Sequence, residues 1–128
     1  MNELSAATVK PPDPSSPGAI ERPIDLVHLA RVTFGERSLE REVLQLFDRQ
    51  AATLMERIQA AAAEDIPALA HTLKGSARAI GALAVARAAE MVEFMDPATE
   101  PDLRRPIAVL RGRVEETRAF IADLLRAH

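Results

Sequence analysis

The stretch Asp65-Ile66-Pro67-Ala68-Leu69-Ala70-His71-Thr72-Leu73-Lys74-Gly75-Ser76-Ala77-Arg78-Ala79-Ile80-Gly81 spaces its apolar residues with the period of an α-helix. Ile66, Leu69, Ala70, Leu73, Ala77 and Ile80 recur at steps of three and four, so they share one face and turn it toward a core. Asp65 stands where a side chain can cap the first turn. Pro67 is tolerated in that turn because the early N–H groups have no intrahelical acceptor, and Gly81 supplies a natural stop. A helix over 66–80 follows, and its buried stripe needs other elements to cover it. Beside the stripe, His71, Lys74, Gly75 and Arg78 follow at steps of three, one and three. Residues three and four apart stack on one helix face, so an imidazole, an ammonium group and a bare glycine surface are expected together near the solvent.

Three further long helices are predicted around this one. From Ser38, read as an N-cap, the positions Leu39, Val43, Leu46, Phe47, Leu54, Ile58 and Ala61 keep a helical period. A third helix runs from about Leu83 to Met95 with Leu83, Val85, Ala89 and Val92 inward, until Pro97 and Pro101 break the pattern. A fourth occupies about Arg105 to Arg126, led by Ile107, Leu110, Val114, Ile121 and Leu124. Before them, Ile24 to Thr33 suggests a short entry helix with Ile24, Val27 and Ala30 at helical spacing, Leu26 and Leu29 beside them, and the breaker Gly35 after it. The fold expected is all-α: an antiparallel four-helix bundle with a short additional N-terminal helix. Residues 1–20, with Pro11, Pro12, Pro14 and Pro17 and little apolar surface, read as a flexible tail ahead of a helical unit over 21–128.

Composition agrees with this reading and excludes several functions. A chain of 128 residues that is 48% hydrophobic builds one core, and 3% aromatics with no Trp or Tyr favour helices over β-sandwiches. Without cysteine there is no disulfide framework or thiolate metal site, which fits a reducing compartment, so a cytoplasmic location is expected. The start of the chain carries no basic region followed by an apolar run, and no stretch is apolar enough to span a bilayer. With 16 basic and 19 acidic residues the formal net charge is −3 and the basic residues are scattered, which speaks against nucleic acid as a partner. An initiating methionine and a short leader favour a free-standing protein, expected as a monomer. His28 and His128 have no helical partners at metal-ligand spacing, and no metal is assigned to the chain.

The contiguous run Ala70-His71-Thr72-Leu73-Lys74-Gly75-Ser76-Ala77, followed by Ile80-Gly81-Ala82, resembles the phosphohistidine motif of the histidine-containing phosphotransfer (HPt) domain family. The resemblance extends more loosely from about Ile24 to the C-terminus. It implies that His71 is a phosphoacceptor, that Lys74 and Gly75 are its motif neighbours, and that the pocket around them is the docking site for a receiver domain; from their places on the stripe, Lys74 is expected to stabilise the phosphoryl group and Arg78 to join Gly75 at the docking surface. The family also places Gln or Glu on the following helix, and twenty-two positions after His71 this chain has Glu93, which the resemblance makes an orienting partner of the imidazole. The implied partners are response-regulator receiver domains and a (hybrid) histidine kinase in a two-component phosphorelay. The segment Phe34-Gly35-Glu36-Arg37 departs from the Gly-Asp that many members carry there, with a small effect expected on the loop.

The chemistry is intelligible from the residues alone. A neutral imidazole attacks phosphorus through one ring nitrogen while an acceptor on the other N–H fixes its tautomer. A cation one helical turn away helps to hold the transferred group; at about 4 Å and an effective dielectric near 20 the attraction is roughly 4 kcal/mol, reduced by exposure and salt to about 1. No carboxylate cluster lies beside His71 on its helix, so Mg²⁺ is expected from the partner receiver and no intrinsic cofactor is assigned. No Gly-rich phosphate loop occurs, so the chain is expected to be a phosphocarrier rather than a kinase or other enzyme. Two other functions are weighed: a pseudo-HPt scaffold that binds receiver or kinase domains without being phosphorylated, and a helical hydrolase or metalloprotein using His71 with Glu90 or Glu93, which a single histidine and no second catalytic cluster make improbable. Bland readings also stand beside the sites: a solvated basic face for Lys74 and Arg78, a plain surface carboxylate for Glu93, and simple packing for Ser76.

Overall fold

A computed structural model describes residues 22–96 and 102–127. Among these the chain is all-helical, without a strand: α1 (Leu26–Val32), α2 (Arg37–Ala60), α3 (Ile66–Ile80), α4 (Leu83–Glu93) and α5 (Arg104–Ala127), with a 3₁₀ turn at Ala63–Asp65 before α3. The tail predicted for residues 1–20, together with Pro97 and Pro101, lies outside the described residues. No described helix is long and apolar enough to cross a membrane.

The bounds of α3 are those that its apolar stripe predicts, and its end has the expected cause: Gly81 adopts φ +83° and its N–H closes on the carbonyls of Ala77 and Arg78. Its start differs in detail. Asp65 occupies the cap position but continues the 3₁₀ turn in helical conformation, so its side chain makes no capping bond. At α2 the cap is Glu36 rather than Ser38, because Phe34 and Gly35 both take positive φ and deliver an extended Glu36, whose carbonyl accepts from Glu40 N–H at 2.9 Å. In α1 the carboxylate of Asp25 accepts from the N–H groups of Val27 and His28, a regular cap. Ile24 lies before that cap, so the helical spacing read from Ile24 to Val27 does not hold; Ile24 and Leu29 are buried while Val27 is exposed.

The core takes Leu44, Phe47 and Ile58 from α2, Leu73 from α3, Val85 and Val92 from α4, and Leu110 and Ile121 from α5. Fully burying a side chain of this size contributes about 1.5–3 kcal/mol. Two residues expected inward are exposed. Leu46 falls one step off the buried line Leu44–Phe47–Ala51–Leu54, and Leu83 opens α4 on the side away from Ala82, Val85 and Ala86. In space α2 packs on α3, α3 on α4, α4 on α5, and α5 returns to α2. The α3–α4 interface is the most extensive. Both helices carry buried alanines, Ala70 and Ala77 on α3 and Ala86 and Ala89 on the stripe of α4 that also holds Glu90 and Glu93, and side chains this small let two backbones approach closely.

The turn between these helices is held from α1. Asp25 N–H donates to the Gly81 carbonyl at 2.9 Å, and His28 Nε2 lies 3.0 Å from the Ala79 carbonyl, a local structural use for that histidine. A Cβ on Gly81 would stand 3.1 Å from His28 Cδ2 and 3.2 Å from the Asp25 backbone oxygen, besides the unfavourable φ. Gly75 differs: a Cβ there meets nothing within 4 Å. Gly81→Ala is therefore expected to destabilise the protein by about 1–3 kcal/mol, whereas Gly75→Ala stabilises it by up to about 1 kcal/mol through helix propensity. Urea unfolding of the two variants checks this, and equal effects at the two positions would remove the close-contact explanation.

Candidate functional site

His71 projects from the middle of α3 with 67% of its side chain exposed. The last residue of the next helix, Glu93, reaches back across the alanine seam, and its Oε2 lies 2.7 Å from His71 Nδ1. Its other oxygen, Oε1, lies 2.6 Å from the ammonium of Lys74. That oxygen is buried and takes no other polar partner among the described residues, so its charge is answered by Lys74. The carboxylate is thus held at both oxygens by two residues one turn apart on α3.

Lys74 is not on the solvent-facing strip that the spacing predicts: only 7% of its side chain is exposed. Its place on the α4 side of α3 drops the aliphatic stem into the seam, where a cation is tolerable because Glu93 meets it. The ring of Phe94 covers the ammonium at 4.8 Å, adding a favourable cation–π contact. Glu90 stands 3.8 Å from the same ammonium and accepts from Arg78 at 3.2 Å. His71, Glu93, Lys74, Glu90 and Arg78 therefore form one ladder of alternating charge between α3 and α4. Arg78 is exposed but engaged, Gly75 is exposed with open space above it, and Ser76 is half-buried.

The electrostatics keep the partner of the imidazole ionised. The Lys74 ammonium, and after it His71, holds the Glu93 carboxyl below its ordinary value of 4.5 against the opposing effect of burial. An ionised carboxylate only accepts hydrogen bonds, so Nδ1 is the donor in this contact and the ring is held with Nε2 turned away from Glu93. Among the described residues no group of His, Cys, Asp or Glu is gathered so as to hold a metal ion. The sequence reading missed Phe94 and named Glu90 only as a hydrolase alternative, not as a partner of Lys74 and Arg78. Phe94 gives no periodic signal because it closes α4 as the C-cap, and Glu90 becomes meaningful only once α3 and α4 are seen to pack side by side.

A family model described as Hpt domain matches residues 42–124, well over half of the chain. This chain belongs to the Hpt domain family. No curated protein and no solved structure matches it. The matched span includes α3 and α4 whole and most of α2 and α5, while α1 precedes it. Hpt domains are phosphocarrier modules of two-component phosphorelays and interact with receiver domains and kinases, and the ladder lies entirely within the part that carries the family resemblance.

Because the Glu93 pKa is lowered on folding, the carboxylate's contribution to stability is complete above pH 4.5 and is lost as the pH falls through the lower folded value. Glu93→Gln is expected to flatten this acid limb of the stability curve. Lys74→Met keeps the apolar stem and removes the charge, and should lower the melting temperature. Adding it to Glu93→Gln should cost less than the two single changes summed, because the residues share one interaction. Strict additivity in thermal melts, or an unchanged acid limb, would show that the pair is not coupled.

Proposed function

We propose that this Hpt protein carries a phosphoryl group on Nε2 of His71, accepting it from a receiver-domain aspartate or a kinase and passing it to a response-regulator receiver. The observation that carries this reading is the exposed imidazole whose Nδ1–H is held by an ionised Glu93. In the accepting step the Nε2 lone pair forms the N–P bond as the P–O bond to the partner's carboxylate breaks, and that bonding pair leaves with the carboxylate. The imidazole gains positive charge as it is phosphorylated, and Glu93, already in contact with Nδ1–H, is placed to stabilise it. Return transfer reverses each change. Lys74 acts first as a positioning residue through Glu93, and its charge, one helical turn from His71, also favours the phosphoryl oxygens. Mg²⁺ is supplied with the acceptor aspartate by the receiver.

The frame we infer is an antiparallel bundle of α2–α5 with α1 as an added N-terminal helix, residues 21–128 acting as one unit. It is supported by the link Gly81-Ala82, which lets α4 fold back on α3 across their extensive interface. The working form is a cytoplasmic monomer without ATP-binding machinery. Gly75 and Arg78 flank the approach to Nε2, and the exposed side chains of Met91 and Phe94 offer apolar contact on the α4 side.

Incubation with a phosphorylated receiver should place acid-labile, alkali-stable phosphate on the parent and none on His71→Gln, whose melting temperature stays near that of the parent because the side chain is exposed. Phosphate uptake by His71→Gln, or none by the parent with any receiver, defeats the carrier reading, and binding without uptake identifies a scaffold instead. Gly75→Gln should fold at least as well as the parent yet transfer about a hundredfold more slowly, since a displacement of about 1 Å in aligned reacting groups has that effect. Transfer at the parental rate would remove Gly75 from the contact surface.

A further inference from the structure

Beside His71, on the side away from Glu93, α2 and α3 enclose a groove of 320 Å³ lined by Arg49, Gln50, Thr53, Leu54, Arg57 and Thr72. Thr72 adjoins His71 in the chain, so the groove borders the turn of α3 that carries the exposed imidazole. Leu54 is buried and forms the floor, while the other lining side chains are exposed and polar. From this arrangement we infer a docking seat: Arg49 and Arg57 grip an acidic stretch of the receiver domain that exchanges phosphate with His71, and thereby set its orientation. The inference rests on the carrier reading of His71.

Charge on α2 is sorted by face. Asp48 pairs with Arg118 of α5 at 2.8 Å, and Glu56 lines a separate groove with Arg111 and Arg118. These carboxylates serve the α5 side and leave the α3 side without them. Arg57 also borders an adjoining groove with Asp65, yet neither it nor Arg49 forms an ion pair among the described residues. The α4 side of His71 is different, since Lys74 and Arg78 are already matched by Glu93 and Glu90. In a chain of formal net charge −3, two unmatched guanidinium groups beside the reactive histidine are a local excess of positive charge.

The partner's chemistry supplies the complement. A receiver that offers an aspartate and holds Mg²⁺ must gather carboxylates around its reacting face. Arginine suits such a surface because its planar fork binds carboxylates bidentately. Arg49 and Arg57 are eight residues apart on one helix, about 12 Å along its axis. Two points of attachment at that distance resist rotation of the docked domain, whereas a single cation would leave it free to turn.

The test uses the full chain and, from the source organism's purified receiver domains, the one that exchanges phosphate fastest with the parent. Arg49→Glu/Arg57→Glu is compared with Arg111→Glu/Arg126→Glu, which makes the same change in net charge on surfaces remote from the groove. At about 50 mM salt the groove variant should transfer at least about tenfold more slowly than the parent, and the difference should shrink at about 500 mM as screening removes the parent's advantage. The remote pair should stay within about twofold of the parent. The milder Arg49→Gln/Arg57→Gln gives an intermediate rate and replaces the reversal if that variant melts early. A groove variant that transfers at the parental rate and with the parental salt dependence overturns the docking seat while leaving the carrier reading intact. So does an equal loss at both salt concentrations, or an equal loss in the remote pair. Binding of the parent to a fluorescent single-stranded oligonucleotide, abolished in a groove variant that still transfers normally, would assign the groove to nucleic acid and overturn the proposal. If the parent exchanges with no receiver, the carrier reading itself fails, and the docking seat fails with it.

Discussion

The separation between α3 and α4 is the constraint on which the site depends. A glutamate side chain has only two methylene groups, so Glu93 can touch residues of α3 only if the two backbones are close. Alanines along the shared interface allow that approach, and Gly81 turns the chain tightly enough to bring α4 alongside. The turn is in turn clasped by Asp25 and His28 from α1. A short helix remote in sequence from His71 thus contributes to the geometry of its imidazole. Larger side chains in the seam would widen it, and the carboxylate would lose His71 and Lys74 together.

Within the seam, Glu93 does two jobs with one group. Toward Lys74 it is half of a buried ion pair, and toward His71 it is the acceptor that orients the ring. Buried pairs are weak stabilisers in general, because desolvation offsets much of their attraction. Their value here lies in orientation: a carboxylate fixed at one oxygen by a buried ammonium cannot swing away from the imidazole at the other. Phe94 reinforces this by shielding the ammonium from water. The same arrangement keeps Glu93 ionised, which a lone glutamate at an apolar helix end would not ensure.

Much of this was legible in the sequence, and the misses share a cause. The helix over 66–80 could be read because its stripe is regular and bounded by Pro67 and Gly81. The family resemblance pointed to Glu93, a residue whose spacing alone says nothing. Lys74 was misplaced because periodicity treats every polar residue as outward, whereas a long aliphatic stem can follow the apolar face if a counter-charge waits at its end. Glu90 and Phe94 gain meaning only through neighbours on another helix. Leu46 and Leu83 show the opposite error, apolar residues read as core that lie at the edge of a buried stripe. The sorting of charge on α2 was invisible for a related reason: Asp48, Arg49, Glu56 and Arg57 are interleaved in sequence and separate only when the neighbouring helices define which side is which.

In the proposed transfer, such a site organises one half of the reaction. His71 is oriented but not enclosed, its polar support lies behind it in the protein, and Nε2 is turned away from Glu93. Enclosure would strengthen every electrostatic term, but it would also bar a folded partner from reaching the nitrogen. A carrier must be filled by one protein and emptied by another, so the desolvation that aids transfer has to arrive with the partner and depart with it. On the proposed carrier reading, that requirement accounts for polar contacts gathered in the α3–α4 seam and a bare face around Gly75. It also makes docking geometry part of the chemistry. With no pocket to align the reacting atoms, the alignment must come from surfaces beside His71, and in the proposed docking mode an apolar edge on α4 and a basic groove between α2 and α3 would give those surfaces a polarity that orients an acidic-faced domain.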